Sequence, residues 1–363
     1  MRPCRANGRV RRTGQTVALV VAAVMICAVA PVAAQQPECS CQHIEAMQQE
    51  YRNNMKLKAY FEAKAEYLDQ IEAEARDEGL NWDQIMDRSG NANTRYTEKN
   101  FPNDGSGKAP HTVVMKPPEC RPNATELALL AADYPCRALA DAAVNHEAHH
   151  TNICENKLGS AGYWNRLQSD FAREEVDAYE QQARQIKDEL RRVLDEAATI
   201  TYRADYKIGI SAGGVANFSY SYTARSEDIG GASGGDPWSM NGNGKSTVKW
   251  LKAVIAGMSC RTSGAVETTY NAKMTTDGLT FSLDVEELSS SGALGLNCPG
   301  GGGGGGPVAA GGSEGIIAEN LPVKNGETPL PGDFASEMRS ILAGSATVTG
   351  EGNRFLSISC SGS

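Results

Sequence analysis

The chain has 363 residues, 40% hydrophobic and 22% charged, a balance that suits one large or two ordinary soluble domains and excludes a fibrous or disordered chain. Lys and Arg number 35 against 44 Asp and Glu, a formal net charge of −9. Five of those arginines lie before residue 35, so the remainder is more acidic still, which excludes a general nucleic-acid binder and disfavours anionic lipid.

Residues 1–34 have the three parts of an export signal. Arg2, Arg5, Arg9, Arg11 and Arg12 make a positive start, Val17 to Ala30 is an apolar run, and Val32-Ala33-Ala34 suits cleavage before Gln35. The apolar run falls short of the roughly 20 residues that span a bilayer. The expectation is a cleaved signal and a secreted or periplasmic protein, with no stable membrane insertion afterwards. Without Cys4 and Cys27 eight cysteines remain, at 39, 41, 120, 136, 154, 260, 298 and 360. An even number outside the cytosol predicts disulfides rather than a thiolate metal site. Five fall before residue 199 and three after it, which implies either one bridge between the two regions or a free thiol in each, and the bridge is favoured.

Glycine and histidine divide the chain: 30 of 38 Gly lie after residue 200 and all five His before it. The fold expected is α+β, a mainly helical N-terminal part followed by a β-rich antiparallel sheet or sandwich. The predicted divisions are the signal 1–34, an N-terminal helical segment 35–109, a metal-binding core 110–199 and a Gly/Ser/Thr-rich domain 200–363. The first segment opens with a helix over about 42–78 ending near Gly79. His43, near its start, reads as a surface or capping residue.

The core carries His146-Glu147-Ala148-His149-His150, an H-E-x-x-H pattern. Residues four apart sit one helical turn along and about 40° around from each other, so both imidazoles can reach one metal ion. Glu147, rotated by about 100°, is placed to take a proton from a metal-bound water rather than to ligate. Pro135 suits a helix start. Leu139, Ala142 and Ile153 lie within about 40° of His146, which turns the two ligand candidates into the apolar stripe. Five histidines produce such a pattern by chance in about one chain in a hundred, so a third ligand decides the matter. The next predicted helix, about 166–198, supplies Glu175. Phe171, Ile186 and Val193 lie within about 40° of it, in the middle of the buried stripe, while Glu174 sits at the stripe's edge. A buried carboxylate is costly unless paired or coordinated, which favours Glu175 over Glu174 as the ligand and leaves pairing with an arginine as the bland alternative.

His146-Glu147-x-x-His150 followed by Glu175-x-x-Ala178 resembles the zincin metallopeptidases, and within them the gluzincins, over about residues 110–198. The resemblance implies one Zn²⁺ per chain held by His146, His150 and Glu175, with Glu147 as general base, and a peptide or protein substrate. It also implies an edge strand, for which His111 to Met115 is the candidate, and an oxyanion-stabilising group, for which Tyr163, Tyr179 or His111 could serve. His149 reads as a core or supporting residue. Two other readings stand beside it: a secreted binding or envelope-associated protein with a non-catalytic zincin-like domain, and a metal-dependent hydrolase of a non-peptide bond.

Beyond residue 199, apolar residues alternate at Ile200 to Ile210, Phe218 to Tyr222, Leu279 to Val285 and Leu356 to Cys360, the period of half-buried strands. Gly230-Gly231 and Asn241-Gly242-Asn243-Gly244 read as turns, and the glycine tract 300–306 as a flexible linker.

Overall fold

The computed structural model describes residues 36–102, 115–300, 303–306, 315–332 and 346–360. The signal segment and residues 111–114 of the edge-strand candidate His111 to Met115 lie outside the described residues. The α+β expectation holds: helices come first and an antiparallel, curled sheet follows.

Helix α1 (Ile44–Asp77) is entered through a 3-10 turn (Cys41–His43), where the Ser40 N–H donates to His43 Nδ1 at 3.0 Å. Helix α2 (Trp82–Asn100) starts at a capping box in which Asn81 and Gln84 satisfy each other's backbone. Helices α3 (Ala124–Ala132), α4 (Arg137–Asn152) and α5 (Gly159–Trp164) follow, with a π-helical turn at Ile153–Leu158. The long helix α6 (Gln168–Arg192) ends in a second π-helical turn, Val193–Ala197, that leads straight into the sheet. α1 runs antiparallel along α6, as the pairs Asp69–Arg173, Phe61–Tyr179 and Lys58–Glu180 show.

The strands are β1 (Ala198–Ala212), β2 (Ala216–Ser226), β3 (Gly230–Ser233), β4 (Trp238–Ile255), β5 (Met258–Thr276) and β6 (Thr280–Asn297). They continue with β7 (Gly303–Gly306), β8 (Gly315–Pro322), β9 (Gly326–Pro329) and β10 (Ala346–Cys360). All pairings are antiparallel, in the order β7-β6-β5-β4-β2-β1-β10-β9, with β3 on β4 and β8 on β6. In β1 the even residues from Ala198 to Ile208 are buried, and they face the helices.

Helix gives way to strand at Ala198, yet the core does not divide there. Ile44, Met47, Leu139, Ile186 and Leu190 pack in one cluster with Ile200, Tyr202, Phe281 and Leu356. Gln48, 4% exposed, reaches from α1 to the carbonyls of Gly278 (2.8 Å) and Val323 (2.9 Å). Four disulfides staple the arrangement: Cys39–Cys136, Cys41–Cys360, Cys120–Cys154 and Cys260–Cys298. Cys41–Cys360 is the bridge between the two regions.

Three sequence expectations need correction. Gly303 to Gly306 forms β7, paired with Leu294–Asn297, rather than a linker. The Asn241–Gly244 run lies within β4 and Gly230-Gly231 begins β3. Gly242 and Gly244 are there because neighbours come too close for a side chain. A Cβ on Gly242 would meet the backbone and side chain of Ile229, and one on Gly244 would strike the buried Tyr270 ring.

Candidate metal centre

Helix α4 places His146 and His150 on its buried face with Leu139, Ala140, Ala142 and Ala143, and each histidine is only 7% exposed. Helix α6 packs beside it and brings up Glu174 and Glu175 from the turn facing them. The carboxylate of Glu175 lies 3.3 Å from His146 Nε2 through one oxygen and 3.5 Å from His150 Nε2 through the other. The two Nε2 atoms are 3.3 Å apart. His146, His150 and Glu175 thus form a group whose ligand atoms could hold a metal ion.

The fit can be tested by geometry. Ligands about 2.0–2.1 Å from a tetrahedral zinc stand about 3.3–3.4 Å from one another; the two Nε2 atoms stand at that spacing, and each has a different Glu175 oxygen at 3.3 or 3.5 Å. The same ligand set of two imidazoles and one carboxylate suits zinc and other divalent transition ions.

The burial expected of the two glutamates is reversed. Glu174 is 4% exposed, whereas 30% of the Glu175 side chain is open to solvent. Burial alone would penalise Glu174, so its partners explain why it is there. His150 Nδ1 lies 2.6 Å from Glu174 Oε1, the Tyr163 hydroxyl donates to the same oxygen at 2.9 Å, and Arg166 Nη2 lies 2.5 Å from the other oxygen. The arginine pairing weighed for Glu175 belongs to Glu174. Glu174 in turn fixes the His150 ring so that Nε2 points at the site, the usual arrangement behind a histidine ligand. Nδ1 of His146 is buried without a hydrogen-bond partner.

Charge is strongly organised here. Burial opposes the charged forms of Glu174 and Glu175, but His150 with Arg166, and His146 with His150, outweigh it and hold both carboxyls below their usual range. Burial also opposes the His150 cation, yet the two glutamates push its pKa up to about 10. Glu147 is half-buried, and that burial raises its carboxyl against the pull of His146 and His150.

The remaining candidates separate by position. The Tyr179 ring centroid lies 4.4 Å from that of His146, and burial, with Glu175 and Glu147 nearby, keeps its hydroxyl protonated. Tyr163 is committed to Glu174, and His111 is outside the described residues. The His149 ring stands 6.0 Å from that of His150, outside the ligand group. On the far side Phe61 of α1 stacks on Tyr179 at 5.6 Å, and Lys64, 8% exposed, donates to Thr97 Oγ1 at 2.9 Å. Sequence reasoning named Tyr163 but not its contact, and missed Arg166 altogether, because neither belongs to a motif of fixed spacing.

Among the described residues no helix is long and apolar enough to cross a membrane, and four disulfides fit an extracytoplasmic location. Comparison of the chain with protein-family models, curated proteins and solved structures finds no match.

Proposed function

We propose that this chain is an exported zinc-dependent hydrolase, most consistent with a gluzincin-like metallopeptidase. The observation that carries the reading is the convergence of His146 Nε2, His150 Nε2 and the Glu175 carboxylate, whose two oxygens each lie 3.3 or 3.5 Å from one of the imidazole nitrogens, beside a glutamate next in sequence to the first ligand. His146, His150 and Glu175 would hold the ion. When bound, zinc in such a three-ligand site makes water nucleophilic near neutral pH and polarises a carbonyl.

The chain's own residues supply the rest. Glu147 accepts the proton of the attacking water and passes it to the leaving amine. Glu174 keeps the His150 ring in place, and Arg166 and Tyr163 keep Glu174 in place. Tyr179, protonated beside His146, is the hydroxyl assigned to the developing oxyanion. The exposed part of Glu175 marks the side from which a substrate approaches.

Elemental analysis of purified protein tests the site first: about one zinc per chain, lost in His146→Ala, is expected. Glu147→Gln should keep the zinc and lose hydrolysis of a casein or peptide-library substrate by about a hundredfold or more. A folded protein that takes up no zinc on incubation refutes the reading. Zinc retained with activity intact in Glu147→Gln refutes the mechanism. Zinc with no hydrolysis of peptide or other amide bonds in the unaltered protein turns the assignment to a non-catalytic binding protein.

A further inference from the structure

The two hairpin tips at the end of the sheet remote from the helices are tied together. The β1–β2 turn (Gly213-Gly214-Val215) and the β4–β5 turn (Ala256-Gly257) are joined by the Ala256 N–H, which donates to the Val215 carbonyl at 2.7 Å. β1 leaves the helical layer at Ala198 and reaches this tip at Ala212, about 45 Å away at the usual rise of a strand.

The cross-strand register defines this distal half. Lys207 opposes Ser221, Ser221 opposes Lys249, Lys249 opposes Ala265, and Ala265 opposes Ala293. From that line to the tip the described strands and turns carry four cations, Lys207, Lys249, Lys252 and Arg261, against one acid, Glu351, which opposes Lys207 on the line itself. All four cations are exposed. The register puts them on one face, the face turned away from the helices. Lys207 and Lys249 share a cross-strand row, Gly209, Ser219 and Lys252 make the next, and Arg261 stands four residues along β5 from Ala265. In a chain of net charge −9 this is a strong local reversal of sign.

Apolar side chains project at the same end. Val215 is 59% exposed, Leu251 52% and Met258 45%. The β4 register is interrupted at Leu251: toward β2, Trp250 opposes Tyr220 and Lys252 opposes Ser219, which leaves Leu251 without an opposite residue, and toward β5 the pairing breaks between Lys249 and Ala253. Such a bulge re-aims a side chain outward. Behind it the Trp250 ring packs between Phe218 (5.5 Å) and Tyr220 (6.1 Å), and Cys260–Cys298 staples the neighbouring strands. What distinguishes this end is that three exposed apolar side chains stand beside four exposed cations on one stapled tip.

We infer that this tip is a peripheral docking surface for a bilayer carrying anionic lipid, with Val215, Leu251 and Met258 entering the interface and Lys207, Lys249, Lys252 and Arg261 meeting the headgroups. A soluble polyanion would need only the cations; the apolar residues favour a bilayer. Lysines close to an anionic surface and interfacial apolar side chains reinforce each other. The acidic remainder of the protein is repelled by the same surface, which orients the molecule tip-down.

The test is co-sedimentation of the full chain with phosphatidylcholine vesicles, alone or with about 30% phosphatidylglycerol, in about 0.1 M salt. Binding only to the anionic vesicles is expected, weakening at least about tenfold in the Lys249→Glu/Lys252→Glu variant and several-fold in Leu251→Ser. In the unaltered protein, brominated lipid should quench a fluorescence component that Trp250→Phe removes. This readout needs neither the lysine variant nor Leu251→Ser to fold. Equal binding to neutral and anionic vesicles, no binding to either, or no effect of the lysine changes overturns the inference. So does binding of heparin as strong as that of the vesicles and indifferent to Leu251→Ser, which would mark a polyanion site instead.

Discussion

At the scale of residues, Glu174 and Glu175 are adjacent in sequence and differ in role because consecutive helical positions face about 100° apart. Glu175 offers both oxygens to the two imidazoles; Glu174 turns to the outer nitrogen of His150 and is held there by Tyr163 and Arg166. Glu174→Gln removes the charged acceptor while keeping the volume. We expect its zinc affinity to fall by about 10- to 100-fold, measured by competition with a chromophoric chelator. Tyr163→Phe removes one hydrogen bond to the same carboxylate and should cost about tenfold or less. Equal affinity in Glu174→Gln and unaltered protein would show that His150 needs no such support. The H-E-x-x-H spacing made both histidine positions legible from the sequence. The helical wheel picked out Glu175, but for a burial that belongs to Glu174. A wheel assigns residues to a face; it does not say which neighbour lies opposite.

At the scale of elements, the site depends on α6 starting in the right place. Its N-cap residue, Leu167, makes no side-chain cap. Glu72 of α1 takes over: it is 1% exposed and accepts from the Ser169 backbone N–H (3.2 Å), the Ser169 hydroxyl (2.6 Å) and the Ser89 hydroxyl (2.5 Å). A carboxylate at a helix N-terminus is favourable both as an acceptor and against the helix dipole. Glu72→Ala leaves two hydroxyls and a backbone N–H without this partner, and should lower stability by about 1–3 kcal/mol in urea unfolding. Stability unchanged within error would mean that the cap contributes nothing. This contact joins residues 97 apart in sequence and has no local signal. The α1 boundaries, by contrast, were legible because the periodicity and Gly79 are local.

At the scale of the whole molecule, the helical layer and the sheet share one core, and Cys41–Cys360 ties the chain's ends together across 319 residues. Replacing both cysteines by serine should cost about 2–5 kcal/mol, since the unfolded chain regains the freedom that the crosslink removed. A denaturation midpoint equal to that of unaltered protein would argue that the bridge is dispensable. Metal binding to the folded state adds stability by mass action. EDTA should therefore lower the melting temperature of zinc-loaded protein, an effect absent from His146→Ala. The acidic composition disfavoured anionic lipid for the chain as a whole, and it hid the cationic tip because a sum of charges carries no positions.

The sequence by itself determined the order of helix and strand, the alternation of β1, β2, β6 and β10, the histidine pair and the odd cysteine count in each region that a bridge or two free thiols must answer. Each of these rests on local periodicity, fixed spacing or parity. Only the tertiary structure decided which glutamate meets the imidazoles and which supports them, why glycines interrupt no strand at Gly242 and Gly244, and how four scattered cations come to share one face. Those outcomes depend on what lies opposite a residue, and that is set by packing between segments far apart in the chain.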